Sequence, residues 1–140
     1  MSDYPGVKMS VKSFQIGSLT INAAMASALE QDEALSLIGS GIIQRAAELA
    51  RAGEQTGEQM LTAMFLSMPH QVKQRVSNIL LSKALTAGTN TPITVNDFQG
   101  KMVQYNTLLA QLTLWNFDDF FIWLGDAVKE RAPAPDTTAP

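Results

Sequence analysis

The spacing of apolar positions changes character once along the chain, near Asn22. Before it, "VKSFQIGSLTI" places β-branched and aromatic residues on both sides of Gly17-Ser18. A two-residue Gly-Ser loop between such runs predicts a β-hairpin with a type II′ turn over about residues 11–21. The competing reading is an extended arm without pairing. A lone hairpin is marginally stable, so this one must pack on something. After Asn22 the period is helical. "NAAMASALEQ" predicts a short helix with Asn22 as its N-cap, and Asp32 then caps a longer one, "EALSLIGSGIIQRAAELARA", closed by Gly53. Leu35, Ile38, Ile42, Ala46, Leu49 and Ala50 form the apolar stripe of that helix. Gly39 and Gly41 inside it cost up to about 1 kcal/mol each relative to alanine, and a close helix crossing is the expected reason for them.

Thr56 and Gln59 read as a capping box opening "EQMLTAMFLSM". Pro69 breaks that helix and suits the first turn of the next, "PHQVKQRVSNILLSKAL", with Val72, Val76, Ile79, Leu80 and Lys83 along one side. "TAGTNTPIT" is a loop of turn formers. Asn96 caps a helix from Asp97 to about Leu114, with Phe98, Met102, Tyr105, Leu109 and Leu112 facing inward. Asn116 caps a final helix that carries Asp118 and Asp119 in its first turn and ends near Lys129. Residues 131–140 are rich in proline and alanine and are expected to be disordered. The expected fold is mainly α: a single domain over residues 1–130, a compact bundle of five or six helices (about 22–129) with a short N-terminal β-hairpin.

Composition narrows the function. Charged residues make up 16% of the chain, well below the usual level of about 25%, which tilts toward self-association or a large partner interface. A net charge of −3 argues against a dedicated nucleic-acid binder. There is no cysteine and a single histidine, His70, so thiol chemistry, disulfides and zinc sites built from several imidazoles are excluded. "GSG" has no following Gly-Lys-Ser/Thr and no preceding parallel strand, so it is not a phosphate loop, and no cofactor is expected. "MSDYPGVKMSVKS" lacks a signal-peptide pattern. "ALSLIGSGII" is about half the length that spans a bilayer, so the expectation is a cytoplasmic protein without a membrane partner.

Few residues qualify as a site. Asp118 and Asp119 could pair as general acid and base. Consecutive helical positions point about 100° apart, however, and acidic residues in a first turn meet the positive end of the helix dipole, which is the preferred reading. His70 has no paired serine or carboxylate in its sequence neighbourhood and reads as a surface residue. Met60, Met64 and Met68 could line an adaptable groove, although core packing at helical spacing accounts for them. Residues 59–96 contain Lys73, Arg75 and Lys83 and no acid. A solvated face explains this plainly, and a basic patch opposite an acidic one would also allow head-to-tail rings.

Five of the aromatic residues, Trp115, Phe117, Phe120, Phe121 and Trp123, fall within one short stretch, "WNFDDFFIW". On a helix, Phe117, Phe121 and Leu124 share one face and Phe120 and Trp123 a neighbouring one, an arc wider than an amphipathic stripe. One side is expected to fill the core and the other, with Trp123, to form an interface; core packing of the whole stretch is the alternative. The candidate partner-binding or oligomer residues are therefore Trp115, Phe117, Phe120, Phe121, Trp123, Met60, Met64, Lys73 and Arg75, with no catalytic, cofactor or metal residue.

The order of parts resembles the tail assembly chaperones of long-tailed, siphovirus-type bacteriophages: the "SFQIGSLTI" opening, a helical middle, an aromatic-acidic helix in "WNFDDFFIWL" and a Pro/Ala-rich tail. The likeness is one of layout across the whole chain. It implies a non-enzymatic protein of the host cytoplasm, absent from the mature virion. Such a protein oligomerises, binds the tape measure protein and helps recruit tail-tube subunits. In many such families a longer form arises by frameshifting, and the tail is a natural place for the two forms to diverge. The alternative is a generic helical adaptor or regulatory protein that binds an amphipathic helix of one partner.

Overall fold

A computed structural model describes residues 11–51 and 57–131, with side chains described for 11–39 and 57–126. Strand β1 (Val11–Ile16) and strand β2 (Leu19–Ala24) form the expected antiparallel hairpin, with Ile16 opposite Leu19 and Phe14 opposite Ile21. Gly17 takes φ +59° while Ser18 does not enter the left-handed region, as a type II′ turn requires. Alternation along the strands turns Phe14, Ile16, Ile21 and Ala23 to the core.

Beyond the hairpin several boundaries differ from the sequence expectation. Asn22 lies inside β2 and caps no helix; its carboxamide accepts a hydrogen bond from the Ser13 hydroxyl on β1. Helix α1 (Ala28–Arg51) is one helix running through Asp32 without a break. Its cap is Ser27, whose Oγ accepts the Glu30 N–H at 3.2 Å while Glu30 Oε1 accepts the Ser27 N–H at 3.0 Å, a reciprocal capping box. A Cβ on Gly39 would meet nothing within 4 Å among the described residues, so no close crossing accounts for that glycine. The expectations for the side chains of Gly41, Ile42, Ala46, Leu49 and Ala50, for Gly53 and Thr56, and for the tail 132–140 lie outside the described residues.

Helix α2 (Gly57–Ser67) and helix α3 (His70–Leu81) are separated by Pro69, as the proline signal predicts. Helix α3 stops four residues earlier than its apolar pattern suggests. Ala84–Thr86 instead forms strand β3, which pairs antiparallel with β2 and sets Ala84 opposite Ala23. The sheet order is β1-β2-β3, so the hairpin packs on a third strand rather than on helices alone. A tight return follows, with Gly88 at φ +93° and Asn90 at φ +56°, and a bridge from Leu85 to Pro92.

Thr94, not Asn96, makes the next cap. Its hydroxyl and the Asp97 carboxylate form a capping box around a 3-10 turn, Val95–Phe98. Helix α4 (Met102–Asn116) then begins, and helix α5 (Asp118–Arg131) follows after Phe117 alone. Asn116 therefore ends α4 rather than capping α5. Helix α4 buries Tyr105, Leu108, Leu109 and Leu112, and packs most extensively on α2. Phe65 and Leu61 of α2, Val76 and Leu80 of α3, and Phe98 of the 3-10 turn join the same apolar cluster. Met102 is exposed instead of facing inward.

Candidate functional site

The aromatic stretch divides between interior and solvent. Phe117 is buried, and so is Leu124 one and a half turns into α5. Phe120 and Phe121 are half-buried and meet edge to face at 5.3 Å, while Trp115 sets its ring edge against Phe14 at 5.6 Å. Trp123 is 58% exposed and Ile122 61%. Trp123 keeps one intramolecular aromatic neighbour, Phe120, at 5.8 Å. Asp118, Asp119, Ile122, Trp123 and Asp126 are all exposed, and their spacing draws one outward stripe along α5, apolar in the middle and acidic at both ends. Beside it a cleft of about 440 Å³ runs between α1 and α5, lined by Asp32, Leu35, Asp119, Phe120 and Trp123.

A second surface of different character lies on α3. A groove of about 540 Å³ follows the α4-facing side of this helix, from His70 through Lys73 and Ser77 to Leu81. Its far wall is Pro92 and Ile93 with Val95 at the start of the 3-10 turn, and α4 closes it with Met102 and Tyr105. Val95 and Met102 are exposed apolar side chains at its edge. The Lys73 ammonium sits 5.9 Å from the centre of the Tyr105 ring, within cation–π range. Partial burial pulls the Lys73 pKa below the usual lysine value, because desolvation disfavours the charged form. Burial pushes the Tyr105 phenol up, opposed by a hydrogen bond with Ser77. No carboxylate among the described residues lines the groove. Asp97, on the neighbouring turn, already accepts the Thr94 N–H at 2.8 Å.

The sequence-predicted site residues do not converge. Met60 is buried in the core beside Leu61 and Phe65, and Met64 is half-buried against it, so the pair does not line an open groove. Phe117 is likewise mostly interior, at the base of the α1–α5 cleft. Lys73 and Arg75 point to different neighbours: Lys73 to the α4 side, and Arg75 to Glu33 of α1 in an exposed ion pair of 3.0 Å. Trp115 lines a broader depression of about 740 Å³ with Lys12, Glu58 and Asp118. Ile122, Val95 and Met102 were missed by the sequence reading. The i, i+4 relation of Asp118, Ile122 and Asp126 was available as a signal, whereas the groove joins three separate segments. Among the described residues no group of three or more His, Asp or Glu could hold a metal ion, and no helix is long and apolar enough to cross a membrane. Neither a family model, nor a curated protein, nor a solved structure matches the chain.

Proposed function

We propose that the protein is a non-enzymatic assembly chaperone of the long-tailed phage type, which self-associates, holds the tape measure protein and helps recruit tail-tube subunits in the host cytoplasm without entering the virion. The observation that supports it best is the spread of exposed apolar side chains over four helices: Leu29 at 79% on α1, Leu66 at 49% on α2, Val103 at 63% on α4, and the Ile122–Trp123 pair on α5. One such residue on a surface is ordinary, but several on separate faces suit a protein that touches both copies of itself and an apolar helical client. The layout resemblance gives that client its proposed identity.

Co-expression with the tape measure protein from the same genome tests the reading. The expected result is a soluble complex containing several copies of this chain per tape measure, still intact when salt is raised. A tape measure protein that stays insoluble, or a complex lost with modest added salt, overturns it, because apolar capture persists in salt and phosphate-type electrostatic binding does not. The observation favouring a one-partner helical adaptor is the groove on α3, walled by three segments; a strict one-to-one complex with a client helix would select that alternative.

A further inference from the structure

The two surfaces described above are complementary to each other. The α5 stripe is an acidic, apolar helix face: Ile122 and Trp123 stand between Asp118–Asp119 and Asp126, all exposed. The α3–α4 groove is mostly apolar in surface, and among the described residues its one charge is Lys73, with no acid lining it. The stripe spans nine residues, about 13.5 Å of helix, and the groove follows twelve residues of α3, about 18 Å, so the first fits within the second. Among the described residues no other element covers either surface, although Asp118 borders the depression that holds Lys12 and Asp119 and Trp123 border the α1–α5 cleft. The stripe residues do not line the groove, and α3 and α5 each pack on α1.

We propose that the α5 stripe of one copy docks in the α3–α4 groove of a second copy. Trp123 and Ile122 would cover Val95 and Met102, and an α5 carboxylate would give the partly desolvated Lys73 a counter-charge. Two different patches meet in such a contact, so it is heterologous. The docked pair keeps a free stripe at one end and a free groove at the other, and assembly continues until a ring closes or a chain is limited by its client. This rests on the self-association part of the proposed function and names its surfaces.

The test uses light scattering on a sizing column over a concentration series, with the full chain and two variants. Lys73→Glu spoils the groove and leaves the stripe; Trp123→Asp spoils the stripe and leaves the groove. Both positions are at least partly exposed, and circular dichroism checks that each variant is folded. If Trp123→Asp does not fold, Ile122→Asp, at a position 61% exposed on the same stripe, takes its place. The wild type is expected to grow in mass with concentration, and each variant alone to be monomeric or at least about tenfold weaker in association. An equimolar mixture of the two variants is expected to give a dimer and nothing larger, because only one intact stripe and one intact groove remain per pair. Variants that assemble like the wild type overturn the proposed surfaces while leaving self-association standing. A mixture that stays monomeric shows that the contact is not head-to-tail and also overturns it. A wild type that is monomeric throughout removes both this contact and the self-association it rests on, and leaves the groove to a different protein.

Discussion

The side-chain carbonyl of Asn116 accepts the backbone N–H of Ala26 at 2.9 Å, across ninety positions of sequence. The same carboxamide donates to the Leu112 carbonyl at 2.9 Å, and Gln31 donates to the Asn116 backbone carbonyl at 3.1 Å. The end of α4 is thereby tied to the turn between β2 and α1, and this junction orients α5 against α1.

Asn116→Ala should leave the Ala26 N–H without its partner and lower stability by about 1–3 kcal/mol, read by urea unfolding. Asn106, on the same helix, makes the contrast. It is 1% exposed and donates to the Met102 carbonyl at 2.7 Å, yet its Oδ1 meets no donor among the described residues. Asn106→Leu removes an unmatched buried acceptor at similar volume and should leave stability unchanged or raise it by up to about 1 kcal/mol. A large loss at Asn106 with none at Asn116 would reverse the assignment of which carboxamide holds the fold.

Two glycines should respond with opposite signs. Gly17 holds φ +59°, and a Cβ there would come within 2.8 Å of the Gln104 side chain. Gly17→Ala should therefore destabilise by about 1–2 kcal/mol, chiefly through the left-handed backbone. Gly39 lies in the interior of α1 with open space where a Cβ would stand among the described residues. Gly39→Ala should stabilise by up to about 1 kcal/mol, since alanine loses less backbone freedom in a helix. Thermal melts of the two variants give the comparison directly.

The α1 capping box is sensitive to acid. Hydrogen bonds from the Ser27 backbone and then its side chain hold the Glu30 carboxyl below the usual glutamate range, with a smaller contribution from Lys83. A carboxyl whose folded pKa is depressed contributes stability above its unfolded pKa and loses it as pH falls through the folded value. Ser27→Ala should cost about 1 kcal/mol near neutral pH. It should also flatten the decline of stability in the acid range just below the normal glutamate pKa. An unchanged acid limb, measured by denaturant titrations at stepped pH, would show that the box carries no pH dependence.

Association and folding should separate along α5 and α2. Trp123→Ala removes a mostly exposed ring and should change stability by no more than about 0.5 kcal/mol, while weakening self-association or client binding. Phe65→Ala empties a site with 0% exposure and should cost about 3–5 kcal/mol. If Trp123→Ala instead unfolds the protein and the residual folded fraction still binds normally, the aromatic stretch serves the core alone.

Local chemistry made part of this architecture readable from the sequence. Gly17-Ser18 specifies its turn with two residues, Pro69 separates α2 from α3, and the acidic start of α5 follows from the preference of carboxylates for a helix N-terminus. Each of these signals acts within about one turn of chain. The same local view misplaced Asn22, Asn96 and Asn116, because asparagine can serve as a cap, as a cross-strand hydrogen-bond partner within a sheet or as a buried hydrogen-bond junction. Which role it takes depends on distant groups, such as the Ala26 N–H that Asn116 meets. Tertiary structure alone produced β3: Ala84–Thr86 has no alternating pattern, and it is a strand because β2 offers an unpaired edge that must be satisfied. The groove is of the same kind. Lys73, Val95 and Met102 share no motif, and only the packing of α3 and α4 with the segment between them brings a desolvated cation beside exposed apolar side chains.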